Sequence, residues 1–388
     1  MKKSNLLFGF FFYFIFFGFG FCSAEHFILG EVEDALDGES VEGHVVVLWN
    51  AENGISDNLT YVIDFNNNFS FDCENLVGGC KVNDELHLKV FNQGDNYVSE
   101  EVAVVVSGGG EDLVESFRLN SPLDSLFFLV DDDINISVGE IDLAAGYTRF
   151  VECEGVFEDL DGDAISNVSA EFFSSSSFFG DMDDNNFHYS NQSCFVNSSY
   201  GENLSMIVCG FDVWYYAESD EWQCKVSASD GIVEVAFNNF SFVNELLSLE
   251  VPSSVDFGVV NPNSVSNEAV INISNFGNVE INLSIYGYAE EEGDGYAMNC
   301  GVGKVPVGYK KYNFTSSNIG VIDYEIFDYF YQNLTDVSTI RRFDLDFRKN
   351  DLVQDAIGFT YWRVFLPKGV DGTCVGNIVF SAVRSSED

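Results

Sequence analysis

The sequence predicts an all-β chain, with three tandem β-sandwich domains after an N-terminal signal peptide. Short stretches rich in Val, Ile, Phe and Tyr alternate with polar residues and end at Gly, Asn or Asp, which is the pattern of sandwich strands. Long segments of helical period are missing, and the best helix candidate spans residues 322–345. The length of 388 residues suits three domains of ordinary size.

The first 24 residues carry the pattern of a secretory signal peptide. A basic start at Lys2 and Lys3 precedes an apolar run over residues 6–21, and small residues follow at Ser23 and Ala24. We expect cleavage after Ala24, with a retained N-terminal anchor as the alternative. Contact with a membrane is expected only through this segment, if it is not cleaved. No later stretch is long and apolar enough to span a bilayer.

The charge of the chain excludes one large class of partners. The sequence has 17 Lys and Arg against 63 Asp and Glu, for a net charge of −46, and loss of Lys2 and Lys3 takes it to −48. Nucleic-acid binding requires a basic surface that neutralises phosphates, so it is excluded. So acidic a chain stays soluble in high salt and attracts divalent cations.

An even number of cysteines follows the signal peptide, which predicts disulfides in a protein that leaves the cytosol. They separate along the chain into groups of two, four and two, which suggests that each domain closes its own bridges. No Cys-x-x-Cys pair or Cys/His cluster indicates a metal site instead. The disulfide candidates are Cys73, Cys80, Cys153, Cys194, Cys209, Cys224, Cys300 and Cys374.

Asn-x-Ser/Thr sequons occur about three times more often than chance would supply, which favours a glycosylated surface protein. The alternative is that turns rich in Asn and Ser generate sequons by accident. The candidate sites are Asn58, Asn68, Asn135, Asn167, Asn191, Asn197, Asn203, Asn239, Asn272, Asn282, Asn313 and Asn333.

The first domain is expected over residues 25–106. Its opening FILGEVEDALDGESVEGHVVVLWN places Gly30, Asp37-Gly38 and Gly43 ahead of the run Val45–Leu48. This pattern resembles the carboxypeptidase regulatory-like domains, which implies a small transthyretin-type or Ig-like sandwich. The polar segment SGGGED at 107–112 predicts a linker after it.

The second domain is expected over residues 113–245. It contains the acidic run FEDLDGD before a strand and VSASDG before the last strand, in that order. The pairing resembles the cadherin-like and dystroglycan-type Ig-like modules. In such a sandwich, Cys153 on an early strand and Cys224 on a late one would join the two sheets. Cys194 and Cys209 would then close the intervening loop, although four cysteines allow three connectivities.

Three interpretations of Asp159, Asp161 and Asp163 compete. The first is a turn whose carboxylates accept hydrogen bonds from backbone N–H groups, with Gly162 at positive φ. The second is an oxygen site for Ca²⁺, completed by carbonyls or by Asp230 from the facing loop, with a Kd on the order of 10⁻⁴–10⁻³ M. The third is a catalytic carboxylate cluster, which would also need a substrate cleft. An EF-hand is excluded by spacing, because its sixth position requires Gly and here is Ala164.

The third domain is expected over residues 246–388, with an inserted segment around 315–350. It carries the sequence Asp256-Phe257-Gly258, then Asn261-Pro262, then the stretch NFGN at 275–278. The order loosely resembles Ig-like modules of the ASPM-SPD2-hydin and TasA-like sort, and TasA-like proteins form filaments. Cys374 near the end could reach Cys300.

These features predict a non-enzymatic, secreted cell-surface protein with a structural or adhesive role, as an envelope, filament or recognition component. No nucleophile elbow, zinc-protease motif, P-loop or dinucleotide fingerprint occurs. Expected partners are other surface proteins, glycans or copies of the chain itself, and the possible cofactor is Ca²⁺. The combination resembles archaeal surface proteins. The alternative is a carbohydrate-binding or carbohydrate-active extracellular protein acting through the acidic loops at 159–163 and 181–184.

Overall fold

The computed structural model describes residues 25–91, 97–132, 140–317, 320–349 and 356–385. The chain divides into two compact units, Met1–Pro122 and Leu123–Asp388. The predicted signal peptide at 1–24 and the sequon at Asn135 lie outside the described residues. Within the ranges that the structure describes, no helix has both the length and the apolar character needed to cross a membrane.

The first unit is a sandwich of two sheets. Its strands are β1 (Phe27–Glu33), β2 (Val45–Asn50), β3 (Asn58–Val62), β4 (Asn68–Asp72), β5 (Glu85–Phe91), β6 (Val102–Val105), β7 (Glu111–Leu113) and β8 (Phe117–Arg118). One sheet has the order β4-β1-β7 with β8 also on β1, and the other has the order β3-β2-β5-β6. Alternation along β5 buries Leu86, Leu88 and Val90 in the core.

The segment expected to be a linker belongs in part to this first sandwich. The positive φ of Gly110 turns the chain, and Phe27 donates to the Gly110 carbonyl at 3.0 Å. Strand β7 then runs parallel to β1, where Glu111 lies opposite Phe27. Residues 111–112 of the predicted linker at 107–112 are therefore strand, because the open edge of β1 offers them backbone partners.

The second unit begins with another two-sheet sandwich. Its strands are β9 (Asp124–Asp131), β10 (Glu140–Ile141), β11 (Thr148–Glu158), β12 (Ser166–Ser174), β13 (His188–Asn191), β14 (Phe195–Gly201), β15 (Leu204–Trp214), β16 (Glu221–Ser229) and β17 (Glu234–Val243). The sheet orders are β10-β17-β16-β12-β13 and β14-β15-β11-β9. Fully buried Trp222 packs on Phe172, with ring centroids 4.7 Å apart. Its indole N–H donates to the Glu218 carbonyl at 2.8 Å, which satisfies the polar end of the ring.

The same unit continues into a third set of sheets. Its strands are β18 (Leu249–Glu250), β19 (Ser264–Val265), β20 (Ala269–Asn275), β21 (Ile281–Tyr288), β22 (Tyr296–Asn299), β23 (Lys304–Pro306), β24 (Lys310–Asn313), β25 (Gln332–Asn333), β26 (Thr339–Leu345), β27 (Ile357–Leu366) and β28 (Asn377–Arg384). The large sheet has the order β18-β20-β27-β24-β25 with β19 on β27, the second has β26-β21-β28, and β22 pairs with β23. Together with the two preceding sandwiches, this makes the described chain an all-β protein, as predicted.

The helix candidate at 322–345 was largely wrong. Asp323 caps a helix, α1 (Tyr324–Phe330), by accepting from the Ile326 amide at 2.8 Å. The chain then returns to strand, and β26 pairs with β21. Alternating exposure along β26 fits a sheet with one buried face, so the segment predicted as an insertion around 315–350 also supplies a strand of the sandwich.

The structure contains four disulfides, in the pairs that the sequence favours. They join Cys73 to Cys80, Cys153 to Cys224, Cys194 to Cys209, and Cys300 to Cys374. The bridge from Cys153 on β11 to Cys224 on β16 connects the two sheets of the second sandwich, and both residues are fully buried. Every one of the three strand groups therefore contains a covalent link of its own.

Candidate functional site

Strand pairing brings the loop that carries Asp159 and the loop that carries Asp230 to the same end of the second sandwich. Strand β12 begins at Ser166, directly after the loop that carries Asp159, and β16 ends at Ser229, directly before Asp230. Ser166 and Ser229 are partners in the antiparallel ladder, and the Ser166 hydroxyl donates to the Ser229 carbonyl at 3.3 Å. The two loops are neighbours because β12 and β16 are antiparallel: the Asp159 loop precedes the start of β12, and the Asp230 loop follows the end of β16.

Asp159 is buried, and one of its two carboxylate oxygens organises its own loop. The Oδ1 atom accepts from the Asp161 amide at 3.0 Å and from the Gly162 amide at 3.1 Å. Gly162 has a φ of +77°, which a residue with a side chain rarely adopts. This arrangement is the turn that the sequence predicted, with a carboxylate capping backbone N–H groups.

Asp230 does the same in the facing loop. Its side chain is buried, and Oδ1 accepts from the amides of Ile232 at 2.8 Å and Val233 at 2.7 Å. Gly231 has a φ of +96°, so this loop also turns at a glycine. In both facing loops, the Oδ1 atom of the aspartate therefore accepts hydrogen bonds from backbone amides of its own turn.

The second oxygen of Asp159 has a different environment. Asp159 is only 4% exposed, and its Oδ2 atom has no hydrogen-bond partner among the residues that the structure describes. Burial raises the pKa of Asp159 above its ordinary value, the two amide bonds oppose that shift, and the negative charges of Asp163 and Asp230 add to it. Burying a carboxylate oxygen without a partner is unfavourable, and a proton, an ordered water or a cation would each satisfy this atom.

The donor set fits a calcium ion in part. Carboxylate and carbonyl oxygens are the ligands that Ca²⁺ takes, and the orphaned Asp159 Oδ2 atom is one of them. In the described part of the chain, however, no three His, Cys, Asp or Glu side chains are grouped so that they could hold a metal ion. A calcium ion here would have to complete its coordination with backbone carbonyls and water.

The second acidic loop, at 181–184, is also held by its own carboxylates. Asp181 Oδ2 accepts from the Phe178 amide at 2.9 Å and from the Ser177 hydroxyl at 3.0 Å, and these bonds lower its pKa. Asp184 Oδ1 accepts from the Asn186 amide at 2.9 Å. These contacts favour a structural role for the loop over a catalytic one.

The described sequon asparagines differ in exposure, and amides of both exposed and half-buried ones donate to backbone carbonyls, as Asn58 does to Ile55 at 2.6 Å and Asn68 does to Asn66 at 2.7 Å. Of the half-buried ones, Asn191 donates to Gly210 at 2.8 Å, and Asn239 donates to Phe128 at 2.6 Å. Asn282 accepts from the Phe343 amide at 2.7 Å. The exposed sequon positions are Asn58, Asn68, Asn167, Asn203, Asn272 and Asn333.

Two features escaped the sequence analysis. Lys310 is buried inside the third group of sheets, which the sequence analysis did not predict. The signal was present, because Tyr312 lies two residues on and shares its face of the strand. Helix α1 also exposes aromatic side chains, with Tyr329 83% and Phe330 54% exposed.

No protein-family model matches the chain, and no curated protein matches it. Among solved structures, the chain is similar to the major pilin SpaD of Corynebacterium diphtheriae, with 7% identity over 86% of this chain and 85% of that one, at a TM-score of 0.25. It is also similar to a Ca²⁺-stabilized adhesin with which an Antarctic bacterium binds ice (11% identity, 93% and 74% covered, TM-score 0.21). A tetra-tandem repeat from the extending region of a large adhesion protein is similar at 10% identity, 92% and 74% coverage and a TM-score of 0.26. At these scores the similarity assigns no function to the chain.

Proposed function

We propose that the chain is a secreted, non-enzymatic cell-surface protein with a structural or adhesive role. The observation that supports this most directly is the disulfide frame, in which every group of sheets contains at least one bridge. Disulfides persist in oxidising compartments outside the cytosol. The chain therefore has the covalent reinforcement of a protein that works outside the cell.

The contacts between the second and third groups of sheets support a structural role. The rings of Tyr215 and Phe276 meet edge to face with centroids 5.4 Å apart. The Asn278 side chain donates to the Ala217 carbonyl at 3.0 Å, and the Arg348 guanidinium lies 4.5 Å from the centre of the Tyr216 ring. Aromatic packing and a satisfied buried amide hold this junction in one arrangement.

A carbohydrate-binding protein is the second candidate. Exposed Tyr329 and Phe330 on α1 favour it, because aromatic faces are enriched at recognition surfaces. Cleavage of a polysaccharide is less well supported, since the carboxylates at 159–163 and 181–184 accept bonds from their own loops. Partners of the surface protein would be other surface proteins, glycans or further copies of the chain.

Two measurements separate these roles. Native cells labelled with an antibody to residues 25–385 should show the protein at the surface, and purified protein should release no reducing ends from a panel of polysaccharides. The double variant Tyr329→Ser with Phe330→Ser should retain surface display, and loss of glycan binding in it would favour the carbohydrate role. Cytoplasmic labelling, or cleavage that disappears in Asp161→Asn with Asp163→Asn, would refute the proposal.

We also propose that Ca²⁺ stabilises the second sandwich at the Asp159 loop. The buried Asp159 Oδ2 atom without a described partner supports this, as do the nearby charges of Asp163 and Asp230. At a calcium concentration about tenfold above Kd, a single site would add about 1.4 kcal/mol to the free energy of unfolding. The gain should vanish in Asp159→Asn and persist in the matched variant Asp181→Asn, whose carboxylate lies in the other acidic loop. An equal gain from Mg²⁺ or in Asp159→Asn would refute a specific site.

A further inference from the structure

Strand β24 carries two lysines that face opposite sides of their sheet. Lys310 and Tyr312 point into the interior, where Tyr312 stacks on Trp362 with ring centroids 5.0 Å apart. Lys311 points to the outer side and forms an ion pair with Asp328 of α1. Strand β24 therefore places the Lys311 ammonium beside a carboxylate and the Lys310 ammonium in the core.

The interior ammonium lacks an anion. Lys310 is 1% exposed, and its Nζ donates to the Ala297 carbonyl at 3.3 Å. The ring of Phe257 lies beside it, with the centroid 5.9 Å from Nζ. Lys310 makes no ion pair with any carboxylate in the described ranges, and burial alone lowers its pKa to about 8. At neutral pH most molecules therefore hold a buried positive charge that one neutral carbonyl satisfies only in part.

A cavity of about 310 Å³ has Lys310 in its lining. It lies between the irregular segment at 251–257 and β28, which is an edge strand because it pairs only with β21. Its apolar wall includes Phe257, Met298 and Phe380, and Ser254 lies exposed at its rim. Ligand cavities commonly combine such an apolar lining with a few fixed polar groups.

We propose that this cavity binds a small monocarboxylate with an apolar body, whose carboxylate pairs with the Lys310 ammonium. The apolar wall accepts the body of the ligand, and the carboxylate supplies the charge that Lys310 lacks. Charge-assisted bonds of this kind are about twice as strong as bonds between neutral groups. Non-specific attraction of anions does not account for such binding, since the chain has a net charge of −46 and repels them at long range.

Calorimetry with two matched probes tests the proposal on the purified chain. The probes are 3-phenylpropionate and 3-phenylpropan-1-ol, which share a body and differ in the charged end. We expect the acid to bind about tenfold more tightly than the alcohol, because one charge-assisted bond is worth about 1.4 kcal/mol or more. Affinity for the acid should fall as pH rises above about 8, where Lys310 loses its proton.

Variants test whether the preference for the acid depends on Lys310. Lys310→Met should abolish the preference for the acid, whereas Lys368→Met, which removes an exposed lysine, should leave it unchanged. Ser254→Trp should weaken both probes by narrowing the rim without touching the ammonium. Thermal unfolding checks that each variant is folded, and Ser254→Trp decides the location if Lys310→Met does not fold. Undetectable binding of the acid, equal affinity for both probes, or full acid preference in a folded Lys310→Met variant would overturn the proposal.

Discussion

Removal of the disulfide between Cys153 and Cys224 should destabilise the second sandwich more than removal of any short-range bridge. The two cysteines are 71 residues apart, whereas Cys73 and Cys80 are separated by 7. The chain-entropy relation gives about 4 kcal/mol for the longer loop and about 2.5 kcal/mol for the shorter one. Both bridges are buried in a core, so the loss of either one also removes packing, and the expected difference between them comes from the length of the loop.

The perturbation is Cys153→Ala with Cys224→Ala, and the matched control is Cys73→Ala with Cys80→Ala in the first unit. The second sandwich belongs to the compact unit Leu123–Asp388, and for a unit of that size a loss of about 4 kcal/mol lowers the thermal midpoint by about 8 °C. Scanning calorimetry of the full chain resolves the units as separate transitions, which matters because a chain of several domains does not unfold in one step.

The reasoning fails if the free energy of unfolding of the second unit falls no further in the Cys153/Cys224 variant than that of the first unit falls in the control. It also fails if both variants match the wild type, since the bridges would then not form in the folded protein. Titration of free thiols in the unfolded wild-type chain provides the independent check, and four bridges leave none from the eight cysteines.

Three further outcomes follow from the described contacts. Because burial raises the pKa of Asp159 above the ordinary 3.8, this carboxyl binds more protons in the folded state than in the unfolded state, so without calcium its contribution to stability should rise as pH falls from neutral toward 3.8. Urea unfolding at several pH values should show a flatter profile in Asp159→Asn, and an identical profile would contradict this cause. Glycopeptide mass spectrometry of the native protein should find glycan on exposed Asn272 and not on Asn282, whose side chain accepts from the Phe343 amide; the reverse pattern would count against it. Phe276→Ala removes the ring that packs on Tyr215 and should lower the unfolding midpoint of the second unit by several degrees, whereas exposed Phe178→Ala should not.

The fold was largely predictable because its strands alternate in the simple way that one buried sheet face imposes. Strand β5 reads apolar at every second residue, and the structure buries those positions. The exception is the segment after Asp323, where a cap and a short aromatic run favoured a longer helix. In the structure the later part of this segment is β26, which pairs with β21. A pairing between strands so far apart in the chain is not indicated by the local sequence.

The sequence predicted which residues form the candidate site, but it did not predict what each carboxylate oxygen contacts. The sequence named Asp159 and Asp230 as facing carboxylates, and the ladder between Ser166 and Ser229 places their loops together. Which oxygen of Asp159 holds the turn and which lacks a partner depends on loop geometry. The burial of Lys310 and Lys311 was missed because lysines are rarely buried, and only the packing shows that Lys311 has a carboxylate partner in Asp328 and that Lys310 has none in the described ranges.

The register of the second sandwich places Cys153 of β11 directly opposite Cys209 of β15, although neither is the other's partner. Residues opposite each other in antiparallel strands are about 4.5–5.5 Å apart at Cα, a spacing that a disulfide accepts. During synthesis Cys209 emerges before Cys224, so the wrong pair can meet first. Cells that make this protein should therefore depend on a thiol isomerase, and material produced without one should contain molecules in which Cys194 and Cys224 are left unpaired.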